Sequence, residues 1–199
     1  MTDPDEIKDQ TLTLDDCTNE HRYLNCILTG SLEPVHLASV QFDHCTFQGD
    51  CTHTELLDCS LTHCNLANSD WNESVLSGVQ FTSCRLTGIS LTACRLIQCA
   101  LRDCTASMLN LSESTLEKTT ITGCDLHEAS MQAVVVKPKL VLDDCNLDGA
   151  DLTDSNLAKW DLSGASFSAL MLSPDRIRGL KIASWQAPAL VAVLGVRVK

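Results

Sequence analysis

The chain repeats itself every five residues. From Glu55 to Met131 one slot in five is large and apolar: Leu56, Leu61, Leu66, Trp71, Leu76, Phe81, Leu86, Leu91, Leu96, Leu101, Leu111, Leu116, Ile121, Leu126 and Met131, with Ala106 the single lapse. Two positions earlier a small residue recurs, as at Cys59, Cys64, Ser69, Ser74, Cys84, Cys94, Cys99, Cys104, Ser114, Cys124 and Ala129. A period of five matches neither an amphipathic helix nor an alternating strand. A unit this short cannot bury an apolar face alone, so each copy must stack on others, and the chain is confined to a solenoid.

The residues around the apolar slot resemble a known family. Cys64-Asn65-Leu66, Cys124-Asp125-Leu126, Cys145-Asn146-Leu147, Ala150-Asp151-Leu152 and Ser155-Asn156-Leu157 are similar to the pentapeptide repeat pattern. That pattern is a small residue, then Asp, Asn, Ser or Thr, then Leu or Phe, then two mostly polar residues. The resemblance runs from about Leu28 to Leu172. It implies an all-β fold, a right-handed quadrilateral parallel β-helix, in which four pentapeptides make one square coil.

The expected organisation has three parts. Residues 1–25 are weakly patterned and read as an irregular N-terminal cap. Residues 26–172 carry the repeat, with central residues Leu28, Leu32, Leu37, Phe42, Phe47 and Cys51 before the long regular run. After Met131 they continue as Val136, Leu142, Leu147, Leu152, Leu157, Leu162, Phe167 and Leu172. The six-residue step across Lys137-Pro138-Lys139 predicts a bulged corner, where a missing amide donor is tolerated. Residues 173–199 change character. Ser173-Pro174 reads as a helix start, Leu180-Lys181-Ile182 as a short strand, and Ser184 to Leu194 as a helix ended by Gly195, with Val196 and Val198 in a last strand.

Twelve cysteines suggest chemistry, but their positions argue for packing. None forms a C-x-x-C pair of the zinc or redox type. Cys64, Cys84, Cys104 and Cys124 recur every twenty residues, one coil apart, and the column extends to Cys145 and back to Cys45 and Cys26. Buried thiols act as small hydrophobes, so a reduced interior ladder is expected. His44 and His63, nineteen residues apart, read as a surface pair, and no metal site or cofactor is expected.

Charge limits the partners. The formal net charge is −12 and the pI about 4.7, so direct nucleic-acid binding through phosphates is not expected. A basic protein surface is a better match. Sorting the repeats by place in the coil collects Glu33, Asp50, Asp70, Glu73, Glu113, Asp151 and Asp154 on one face with no Lys or Arg. Asp125, Glu128 and Asp148 fall on the preceding face, against Arg85 alone. Arg95, Lys118, Lys137, Lys139 and Lys159 fall on the following face. No nucleophile elbow, P-loop or dinucleotide fingerprint occurs, so no enzyme activity is expected.

Within the family, the acidic faces resemble the gyrase-protecting Qnr, MfpA and McbG types, and the room for only one-residue irregularities resembles the loop-free MfpA type more than the Qnr proteins, some of which carry long loops. Trp185-Gln186-Ala187 and Leu194-Gly195-Val196 are similar to the ends of those proteins. That resemblance implies a DNA mimic that binds DNA gyrase or topoisomerase IV and protects it from poisons such as quinolones. It also implies a homodimer, formed through Ile182, Trp185, Ala187, Leu190, Val191, Leu194 and Val196. A non-catalytic scaffold with another protein partner is the alternative. The acidic N-terminus, with Asp3, Asp5 and Glu6, lacks the positive charge of a signal peptide. The apolar run Ala187 to Val196 is too short to span a bilayer. A cytoplasmic protein without a membrane contact is expected.

Overall fold

The computed structural model describes residues 5–31, 33–193 and 195–196. Most strands are three residues long. The middle side chain points inward and its neighbours outward, as in Glu55–Leu57, where only Leu56 is buried. Successive coils pair in parallel at a twenty-residue step, Leu56 opposite Leu76 and Leu76 opposite Leu96. The coil length thus makes each apolar slot fall on the slot below it.

Four faces result. The first stacks nine strands from Glu6–Lys8 to Trp160–Ser166. The second begins with Thr11–Thr13, Ile27–Thr29 and Thr46–Gln48 and continues through single bridges at Asn65, Arg85, Thr105, Asp125 and Asn146. The third runs through Asp50, Asp70, Ser90, Asn110, Ser130 and Asp151, then Leu170–Met171. The fourth stacks six strands from His36–Ala38 to Val135–Lys137. The pairings follow the expected order of repeats as far as the strands and bridges extend; Leu157–Lys159, expected on the fourth face, is a 3-10 turn, and Leu32 lies outside the described residues.

The corners are costly and the interior outweighs them. A run of non-glycine corner residues has positive φ, among them His53, Glu73, Ala93, Glu113, Ala133 and Asp154. Each such conformation costs about 1–2 kcal/mol for an L-residue. Each repeat also buries a Leu or its equivalent, worth about 1.5–3 kcal/mol, and its main-chain groups bond to adjacent coils, as Glu73 N–H does to the Thr92 carbonyl. Gly30 lies where the step shortens from Leu28. A Cβ there would overlap the Asp50 carbonyl, so the close approach of these coils requires glycine.

The core is one column of Leu, Cys and aromatic side chains. In the first coils aromatics replace Leu, and Tyr23, Phe42, Phe47 and Trp71 pack in sequence with centroids 5.1–5.5 Å apart. The wide Trp71 is accommodated because its indole N–H donates to Ser69 Oγ, in the small slot two residues back. All twelve cysteines are free thiols and all but Cys17 are buried. Most of the buried sulfurs donate to carbonyls of the coil below, as Cys99 Sγ to Leu76 O, the role that Ser114 Oγ plays toward Leu91 O.

Both ends depart from expectation. Within 1–25, Glu6–Lys8 and Thr11–Thr13 pair in register with the next coil, so the regular solenoid begins well before residue 26. Among the described residues of that segment, irregularity is confined to the stretch from Leu14 onward, where Tyr23 Oη accepts the Thr18 N–H and Asn19 Oδ1 accepts the Ala38 N–H at the edge of the fourth face. The inserted residue near Val136 sits at the corner containing the cis Lys137–Pro138 peptide. Among the described residues of the tail, Pro174–Arg176 and Ser184–Gln186 are short 3-10 turns, and only Ala187–Val193 is α-helical. Ser173 does not cap its turn; its hydroxyl accepts the Asp154 N–H instead. Lys181 continues the solenoid by bridging Asp161. Val196 is not in a strand, and Val198 lies outside the described residues.

Candidate functional site

The third face and its corners form the candidate interface. Its carboxylates divide into two kinds, a division that the sequence reading missed. Asp50, Asp70 and Asp151, with Asp125 on the second face, occupy the slot just before the central apolar residue. Each accepts a main-chain N–H two residues on, from Thr52, Asn72, Thr153 and His127 respectively. This is why the slot favours Asp, Asn, Ser and Thr: a short acceptor closes the turn after each strand. These four residues therefore hold the coil as well as carrying charge. The Thr52 hydrogen bonds hold the Asp50 carboxyl below its ordinary value. Asp148 is tied across coils, accepting from Ser168 N, Ser168 Oγ and Ala169 N, and these bonds lower its pKa.

Glu73, Glu113 and Asp154 are different. They sit at the corner that leaves the third face, at positive φ, and their side chains are exposed. The main-chain ladder places Glu73, Ala93, Glu113, Ala133 and Asp154 on successive coils of one corner. Acid and alanine alternate, so the carboxylates stand about 10 Å apart at the usual strand spacing and repel one another weakly in water. Glu128 occupies the neighbouring corner after the second face and is also exposed. Glu33 is exposed as well.

The separation of charge is less complete than expected on the following face. The third face has no Lys or Arg beside its central residues, but His53 lies on its corner, 3.3 Å from Glu73. The fourth face carries Arg95, Lys118 and Lys137 together with Glu55, Asp58 and Glu117. The contrast is therefore between an acid-only face and a mixed one.

The tail also divides. Ile182 and Leu190, expected in a dimer contact, pack with Ala189 and Val193 against the last coil. Trp185 and Val196 remain outside, 62% and 55% exposed. Ala187 and Val191 are half-buried, and Leu194 lies outside the described residues. Gln186, between Trp185 and Ala187, is buried against the end of the solenoid. Among the described residues no helix is long and apolar enough to cross a membrane.

Two family models match the chain: a pentapeptide repeat region over residues 54–131, and pentapeptide repeats in eight copies over residues 141–172. No curated protein matches it. Among solved structures it is similar to QnrB1, a plasmid-mediated fluoroquinolone resistance protein, at 15% identity over 98% of this chain and 99% of that chain, TM-score 0.36. It is also similar to HetL, a pentapeptide repeat protein involved in heterocyst differentiation regulation from the cyanobacterium Nostoc sp., at 20% identity over 87% and 84% of the two chains, TM-score 0.42. A third, Rfr23 from the cyanobacterium Cyanothece, is 18% identical over 67% of this chain and 90% of that one, TM-score 0.23.

Proposed function

The chain belongs to the pentapeptide repeat family, and we propose that it is a non-catalytic, DNA-mimicking protein that binds DNA gyrase or topoisomerase IV and protects it from cleavage-stabilising poisons. The observation that carries this reading is the third face, where acidic side chains recur along the rod and no Lys or Arg flanks the central residues. A basic channel built for a duplex meets there a straight column of carboxylates. It gains from long-range attraction, which steers encounter and weakens with salt.

The remaining parts of the proposal follow from the same picture. The protein acts in the cytoplasm, where its partner works and where its buried thiols stay reduced. It forms a homodimer through the exposed side of the tail, Trp185, Ala187, Val191 and Val196, which lengthens the rod by repeating one patch across a two-fold axis. The deciding experiment is gyrase or topoisomerase IV supercoiling and relaxation with and without a quinolone, at increasing protein. Protection by wild type that is lost when the corner acids are neutralised supports the reading. No effect of wild type on either enzyme rejects it and leaves a scaffold for another protein partner.

A further inference from the structure

The corner between the first and second faces carries chemistry that the acidic face does not use. The chain turns there through positive φ at His44 and again, one coil later, at His63. Stacked coils bring equivalent corners together, so the two imidazoles lie face to face, centroids 4.7 Å apart and 28° from parallel. Asp43, the last residue of the strand Gln41–Asp43, turns one carboxylate oxygen toward both. Its Oδ1 is 2.8 Å from His44 Nδ1 and 3.8 Å from His63 Nδ1. Its other oxygen, Oδ2, accepts from Arg22 Nη2 at 2.8 Å. Arg22 in turn lies 3.4 Å from Glu6. The carboxylate is thereby fixed from the coil below while Oδ1 stays on the histidine side.

We propose that Asp43, His44 and His63 form a surface site for one divalent transition-metal ion of the class imidazole favours: Zn²⁺, Ni²⁺ or Cu²⁺. One nitrogen from each ring and one carboxylate oxygen all lie within 4.8 Å of one another. Modest turning of two half-exposed rings brings them to a common ion. Two nitrogens and one oxygen suit these ions, whereas Mg²⁺ and Ca²⁺ take all-oxygen sites. Three protein ligands leave positions open for water or a partner's side chain. On binding through Nδ1, each neutral ring carries its proton on Nε2, so the hydrogen bond from His44 to Asp43 is replaced by two bonds to one ion.

The other histidines set the contrast. His36 with Glu55 and His53 with Glu73 each offer one imidazole and one carboxylate, and His127 with Glu128 does the same. The competing soft ligand is Cys17, the single thiol that is not fully buried; burial still pushes its pKa up to about 12, which keeps it protonated.

The test is titration of the full chain with Zn²⁺ by calorimetry, and with Co²⁺ followed by its visible absorption, under a non-thiol reductant. Wild type should take up one ion per chain. His44→Asn and His63→Asn should each abolish saturation at concentrations that saturate wild type. Asn tolerates positive φ, and an unchanged melting temperature without metal verifies that each variant folds. The His36→Asn/His53→Asn double variant and Cys17→Ser should bind like wild type. Zn²⁺ should also raise the melting temperature of wild type and leave that of His63→Asn unmoved. The proposal is overturned if wild type binds no ion. Binding that survives in His44→Asn/His63→Asn overturns it too, as does binding that is lost with Cys17→Ser.

Discussion

The side-chain amide of Gln186 donates to the carbonyl oxygen of Leu162 over 2.7 Å. The same nitrogen donates to Ala165 O at 2.6 Å, and Gln186 Oε1 accepts the Ala183 N–H at 2.6 Å. One glutamine, 1% exposed, thus satisfies three main-chain groups at the end of the described solenoid. Gln186→Leu should cost about 1–3 kcal/mol for each buried group left unpaired. Gln186→Glu keeps the shape but loses both donors, so it should be no better. Thermal melting measures both, and a melting temperature equal to wild type for either variant would refute the capping role.

Buried thiols make the protein sensitive to alkali. Burial pushes the Cys51 and Cys94 thiols up to about 12 and Cys99 and Cys145 to about 11. In the unfolded chain a thiol ionises near its ordinary value of about 8.5–9. A pKa raised by folding means that the unfolded state sheds protons first. The stabilisation is then complete below the unfolded pKa and is lost as pH rises toward the folded one. Stability should therefore fall between about pH 9 and pH 12, and thiol reagents at neutral pH should react slowly until denaturant is added. Rapid modification of the native protein would contradict the interior ladder.

Ala93 and Ala133 sit at corners with φ of 56° and 52°. Glycine adopts that conformation without the Cβ penalty. Ala93→Gly, which in a helix interior would destabilise, should here be neutral or stabilising by up to about 1 kcal/mol. Chemical denaturation gives the sign directly.

The two kinds of acid separate structure from charge. Asp70→Ala removes the acceptor of the Asn72 N–H and should destabilise by about 1 kcal/mol, whereas Asp70→Asn keeps the acceptor and removes only the charge. Changing Glu73→Gln, Glu113→Gln and Asp154→Asn together should alter stability by no more than about 0.5 kcal/mol per site. Topoisomerase binding should weaken and become less salt-dependent. Neutralising Lys118, Lys137, Lys139 and Lys159 should leave binding intact or raise it. Equal quinolone protection by wild type and the corner-acid variant would remove the third face from the proposed interface.

The tail yields a paired prediction. Trp185→Asp with Val191→Asp should give a monomer in light scattering with an unchanged melting temperature. Leu190→Asp should instead lower the melting temperature, because Leu190 packs on the last coil. A wild-type protein that is monomeric at all accessible concentrations would reject the dimer.

The five-residue period determined that the repeats must stack, and the resemblance of those repeats to the pentapeptide pattern implied the four-unit coil in which each apolar slot falls on the one below. Leu56, Trp71, Leu126 and Cys104 lie inside where the repeat put them. The same period located the acid-only face, since face membership depends only on counting. What the sequence could not decide lies wherever the period breaks or where side chains reach between coils. Glu6–Lys8 joins the first face although its repeat is blurred by the irregular turn that follows it. Leu190 turned inward because an apolar helix placed at an open coil end gains more by covering it than by facing water. Asp70 and Glu73 look alike in one dimension, yet one closes a turn and the other stands at a corner. His44 and His63 were visible as a pair, but Asp43 joins them only in the folded chain. Its carboxylate is aimed by Arg22, two strands of the first face brought side by side by one coil of winding.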